Sequence, residues 1–254
     1  MRIKAIAANA FKEAVRDRVL YLLVFFAVVV ILFSQVLGLL TVGERVKVVK
    51  DVGLASISLF GALMAILVGT GLVYKEIDKK TIYTLLAKPI HRFQFLLGKF
   101  LGLILTLFIM IVMMSIIFLV VVFSHSLKFE WRLLGAIYLI FIELCLITSV
   151  AIFFSTFSSP ILSSLFSLSF YLIGHLSWGF QALIQKMKPG ATRAVVKAVY
   201  LILPDLENFN IKTEVVHALP LPFEHFVLST LYGIFYALFV LTIAFLIFKN
   251  RDFI

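Results

Sequence analysis

Six stretches of about 20 consecutive apolar residues divide this chain, the length an α-helix needs to cross the hydrocarbon of a bilayer. They run Val19–Leu40, Leu54–Tyr74, Phe100–Phe123, Leu134–Phe154, Ile161–Leu183 and Phe226–Phe248. No water-soluble fold could hide them all. Hydrophobic residues make up 63% of the sequence and charged residues 14%, against roughly 45–50% and 25% in a soluble domain. Inside lipid each backbone N–H and C=O must find its partner within its own segment, which favours helices for runs of this kind. The sequence therefore predicts an all-α integral membrane protein of six transmembrane helices, forming a single domain over residues 1–254.

The charges gather in the gaps. The densest is Lys75–Lys99, where Lys75, Lys79, Lys80, Lys88, Arg92 and Lys99 face only Glu76 and Asp78. A net charge of +10 would raise nucleic acid as a partner in a soluble chain. Here positive cytoplasmic loops and anionic lipid headgroups account for it, and no nucleic-acid partner is expected. The first eighteen residues and this central loop are the richest in Lys and Arg, so both termini are expected in the cytoplasm of a multi-pass protein of the cell membrane. Cys145 is the one cysteine, which excludes an intrachain disulfide or a cysteine metal site.

Residues 1–18 have a helical period. Ile3, Ile6, Ala7, Ala10, Phe11, Ala14 and Val15 share one face, while Arg2, Lys12, Glu13, Arg16 and Asp17 gather opposite. That pattern predicts an amphipathic helix lying in the headgroup plane. It does not read as a cleavable signal peptide. The fourth and fifth runs are separated only by Ser158–Pro160, which predicts a tight hairpin. Between the fifth and sixth lies a long outer loop, 184–225, with a short helix expected over Ala191–Leu203. A connection of that length is usually functional or dips back toward the membrane.

The order of residues in the central loop, Glu76, Thr81, Ile82-Leu85-Leu86, Lys88-Pro89, Arg92 and then Gly98-Lys99, resembles the permeases of ABC exporters of the second type. The likeness extends to the amphipathic N-terminal helix, the Phe154–Pro160 turn and the closing Phe248–Phe253 segment. Within that group the chain looks most like the branch associated with maturation of multicopper enzymes. Lys80 departs from the pattern, since many relatives have glycine there. The resemblance implies that Glu76, Thr81, Pro89 and Arg92 couple the membrane domain to a cytoplasmic ATPase. It further implies two ATPase copies and a second permease copy or a paralogue. The chain contains no GxxxxGK[ST] phosphate loop. ATP and Mg²⁺ are thus expected in the partner, with no cofactor, no metal and no catalysis in this chain.

Other residues stand out within the runs. Glu143 lies inside the fourth. A charge there costs on the order of 2.5–3.5 kcal/mol on insertion scales, so it needs a partner, and His175 is the candidate at comparable depth. The pair is read either as part of a translocation path or gate, or as a carboxyl bonded to a neighbouring helix. Gly61, Ala65 and Gly69 form a small-residue stripe suited to close helix packing, within the chain or against a second protomer. Ser155, Ser159, Ser163 and Ser167 form a polar stripe, best explained by bonding to local carbonyls. Met110, Met113 and Met114 favour packing over a thioether copper site. His91, His125, His175, His217 and His225 have no metal-ligand spacing, and Trp131, Tyr138 and Trp178 suit an interfacial belt. Rival readings are an ATP-independent secondary transporter and a mechanotransmitting subunit whose outer loop acts on a periplasmic partner. An intramembrane enzyme would need HExxH, GxSxG or paired aspartates, and the chain has none.

Overall fold

The computed structural model describes residues 2–41, 44–78, 92–126, 130–187 and 190–249. Among them every regular element is helical: α1 Arg2–Val15, α2 Arg18–Leu39, α3 Arg45–Asp78, α4 Arg92–Ser126, α5 Trp131–Ser155, α6 Pro160–His175, α7 Ser177–Lys186, α8 Ala191–Ile202, a 3₁₀ turn Leu206–Phe209, α9 Lys212–Val216 and α10 Phe223–Lys249. Five of these, α2, α3 up to Gly71, α4, α5 and α10, are long and apolar enough to cross a membrane.

The expected fifth run is the exception. It breaks at Leu176 into the 16-residue α6 and the 10-residue α7. The cause is the chain that folds back onto this point. Leu206 lies so close to Gly174 that a β-carbon there would stand 2.6 Å from Leu206 Cγ. Ser177 Oγ donates to Asp205 Oδ1 at 2.6 Å, and Asp205 Oδ1 also accepts from the Glu207 amide. A continuous apolar helix would have to pass through this contact. Local signals set other ends: Asp17 caps α2 by accepting from the Val19 amide, and Pro160 occupies the first turn of α6.

The two central helices are α3 and α5, each burying 67% of its most apolar window, whereas α2 buries 28% and α10 33%. Along α2, Leu20, Leu23, Ala27, Ile31, Ser34 and Gly38 point inward at three- and four-residue steps. Its Phe25, Phe26, Leu32 and Phe33 remain exposed, as the lipid-facing side of a peripheral helix should.

Two opposite ends are thereby defined. One carries α1, the end of α3, the start of α4, the α5–α6 turn and the end of α10. The other carries the start of α3, the end of α4, the start of α5 and α9. There Lys50, on the first turns of α3, is bridged by both carboxylate oxygens of Glu130 at 2.6 and 2.7 Å.

The segment expected as an outer loop is helical in large part and enters the bundle. Leu206, Phe209, Ile211 and Val215 are buried in the core. Phe209 meets Gly233 and Ser229 Oγ donates to the Asn208 carbonyl, placing the 3₁₀ turn about 9–15 Å below the start of α10 at 1.5 Å per residue.

Candidate functional site

Two groups of polar side chains stand where a membrane bundle should have none. The first is at the end bearing α1. That helix exists as expected, yet its apolar face is turned to α4. Ala10 and Ala14 are fully buried. A β-carbon on Gly102 would stand 2.6 Å from both Ala10 Cβ and the Ala7 carbonyl, and one on Gly98 would stand 2.7 Å from Ile6 Cβ. Small residues on both sides let the backbones approach this closely. Between those glycines, Lys99 is 0% exposed, with Nζ 3.1 Å from Glu13 Oε2 and 5.9 Å from the centre of the Phe95 ring. The exposed face of α1 is left with Lys4, Ala5, Ala8, Asn9 and Lys12, with Arg16 exposed just past its end.

At the same end Arg92 Nη1 donates to the carbonyls of Phe248 and Lys249 at 2.8 and 2.7 Å. A guanidinium at a helix C-terminus satisfies carbonyls that have no partner inside the helix and opposes their negative dipole end. Phe95 stacks on Phe248 and Phe93 meets Phe245 edge-on, so the first turns of α4 hold the last turns of α10. Glu76 falls on the last turns of α3; Thr81 and Pro89 lie outside the described residues, as does His91.

The second group is near mid-depth. Glu143, at the centre of α5 and 1% exposed, has His175 Nε2 3.0 Å from its Oε1. The other imidazole nitrogen, Nδ1, is 3.7 Å from Glu207 Oε2 on the 3₁₀ turn. Tyr171, one turn before His175, meets its ring edge-on and lies within 3.4 Å of Ser58 Oγ on α3. The Asp205 amide N–H donates to Tyr232 Oη at 2.9 Å. Four elements thus converge on one imidazole, α3 through Tyr171, α5, α6 and the 3₁₀ turn. The arrangement ties the 3₁₀ turn and the end of α6 to the middle of α5.

The remaining sequence candidates fall into place as follows. Gly61 and Gly69 face α5 of the same chain, where β-carbons would stand 2.5 Å from Leu144 Cδ1 and 3.2 Å from Ala151 Cβ, with Ala65 buried between them. Ser155 and Ser167 donate to local carbonyls, Ile152 and Ser163, while Ser163 shares a bond with Ser158. Met110 and Met114 are buried and Met113 is exposed, so the three do not converge, and no metal-holding cluster occurs among the described residues. Trp131 and Tyr138 are exposed.

Sequence reasoning passed over Glu13–Lys99, Lys50–Glu130, Asp205 and Glu207. A signal existed for the first: a lysine placed between two glycines in an apolar helix, and a single acid on the facing helix. The model of one protein family, described as ABC-2 family transporter protein, matches residues 4–253. No curated protein matches the chain.

Proposed function

The chain belongs to the ABC-2 family of transporter proteins and is a multi-pass membrane subunit of permease type, and on that premise we propose that it serves an ATP-driven exporter. The nucleotide is hydrolysed by a separate cytoplasmic ATPase, present in two copies beside two permease subunits, and both termini of this chain face the cytoplasm of the cell membrane. The bundle is crossed six times, α6 and α7 together making the fifth crossing. The branch associated with multicopper enzyme maturation is part of the same proposal.

One observation carries the reading. The elements that the family resemblance names for coupling, α1, the Glu76 end of α3 and Arg92 at the start of α4, lie at the same end of the bundle. With its apolar face spent on α4, α1 offers a basic surface with small side chains, which suits the close approach of an acidic protein groove better than burial in lipid. ATP binding closes the ATPases and pushes on α1 and the Glu76–Arg92 connection. The movement reaches the Glu143–His175 pair through α3 and α5, which pack closely along Gly61, Ala65 and Gly69.

Purified alone, the chain should have no ATPase activity. Co-expression with a cytoplasmic ABC ATPase should yield a stable complex that hydrolyses ATP. Hydrolysis by the isolated chain, or failure of every candidate ATPase to co-purify, overturns the proposal.

A further inference from the structure

We propose that Lys99 is a positioning residue: it fixes the register of α1 along α4, so that α1, the first turns of α4 and the last turns of α10 move as one body. The inference rests on the permease reading above and specifies how force enters the bundle.

Gly98 and Gly102 meet Ile6, Ala7 and Ala10, so small residues set the separation of α1 and α4, with the larger Ile6 seated over Gly98. Directional bonding adds to that packing in fixing the register. Lys99 is the fully buried cation at this contact, and its Nζ reaches Glu13 Oε2 at 3.1 Å while Phe95 lies beneath it. A buried ammonium that loses its carboxylate bears an uncompensated desolvation cost. Glu13 is the single acid between Arg2 and Val15, and Asp17, one turn further on, is engaged in capping α2 through the Val19 amide, so a slip of one turn, about 5.4 Å, would set Lys99 against that cap. The pairing therefore holds the register in which Ile6 sits over Gly98.

The same helix grips α10. Arg92 holds the Phe248 and Lys249 carbonyls, Phe95 stacks on Phe248 and Phe93 meets Phe245. Phe95 belongs to both contacts, under Lys99 on one side and against Phe248 on the other. A push on α1 is therefore delivered to α4 and α10 together.

The test uses the full chain in a Cys145→Ser background, in nanodiscs, with spin labels at Lys4 on α1, Lys249 on α10 and Phe157 in the α5–α6 turn. In the chain alone the Lys4–Lys249 distance should be narrowly distributed, and in E13Q/K99M it should broaden by up to about one helical turn, 5 Å. In the ATPase complex, adding ATP with vanadate should leave Lys4–Lys249 unchanged to within about 2 Å, the scale of ordinary helix shifts, while Lys4–Phe157 changes by more. A Lys4–Lys249 distance that follows the nucleotide state overturns the single body, and so does a Lys4–Phe157 distance that never changes. An E13Q/K99M distribution as narrow as the parent overturns the role of Lys99. These measurements on the chain alone stand whether or not an ATPase binds, so failure to recover a complex counts against the permease reading and not against the register.

Discussion

His175 Nε2 lies 3.0 Å from Glu143 Oε1, and through this contact the end of α6 is tied to the centre of α5. The carboxyl is almost wholly enclosed, with its side chain 2% exposed, and its nearest ionisable partner belongs to a helix that stops at that very residue. Loss of the imidazole would leave Glu143 without the hydrogen bond that offsets its removal from water.

His175→Ala should therefore destabilise the chain by about 1–3 kcal/mol, the usual cost of an unsatisfied buried acceptor. Adding Glu143→Leu should return part of that loss, because the group left unpaired is gone. Thermal unfolding of the detergent-solubilised single and double variants measures the coupling. A double variant no more stable than His175→Ala would show that Glu143 does not depend on this partner.

Gly102→Ala should harm the protein far more than Gly71→Ala. The added carbon at Gly102 meets the Ala10 side chain and the Ala7 backbone at 2.6 Å, while at Gly71 nothing stands within 4 Å. Backbone cannot rotate aside, so α1 has to lift from α4, at the roughly 1–3 kcal/mol typical of overpacking. Gly61→Leu and Gly69→Leu should likewise reduce the monodisperse fraction in size-exclusion chromatography. Equal yields of Gly102→Ala and Gly71→Ala would contradict the close approach.

Arg92→Ala should loosen the end of α10. Two carbonyls lose a charged donor, and a cation at a helix C-terminus contributes roughly 0.3–1 kcal/mol when exposed. Hydrogen exchange should accelerate at the amides of residues 244–249 and stay unchanged at the start of the helix. Arg92→Lys restores the charge, with fewer donors than the guanidinium fork, and should recover protection in part. Unchanged exchange in Arg92→Ala would leave ATPase coupling as the remaining role of Arg92.

Cysteines at Lys80 and at Lys212, each in the Cys145→Ser background, should be labelled by an impermeant maleimide from opposite sides of the membrane. Labelling from one side only would mean that the number of crossings between them is even, and the six-span topology would fall.

Hydropathy alone made most of the bundle legible, because a run such as Phe100–Phe123 has no other way to hide its backbone. Its limits appear where burial depends on tertiary contact. Ile161–Leu183 reads as one helix, and nothing within it announces the break at Leu176. The break is imposed by Leu206 and Asp205, thirty residues away. The periodicity of α1 was readable, but an apolar face has the same pattern whether lipid or Gly98 and Gly102 cover it. Glu143 and His175 could be paired from their depth, since a buried carboxyl demands a partner. Glu207 could not, because it arrives from a segment whose sequence reads as loop. Arg92 was noticed for its place in a loop pattern, whereas its contact with Phe248 joins positions 156 residues apart.

That separation sets an order of events during synthesis. The guanidinium of Arg92 leaves the ribosome early, and the carbonyls it holds are made 156 residues later, roughly 8–30 s at bacterial and eukaryotic elongation rates. Through that interval α1 can already settle against α4, since Gly98 and Gly102 are made within a few residues of Arg92. The bundle then waits with one side open, and the arrival of Phe248 closes it.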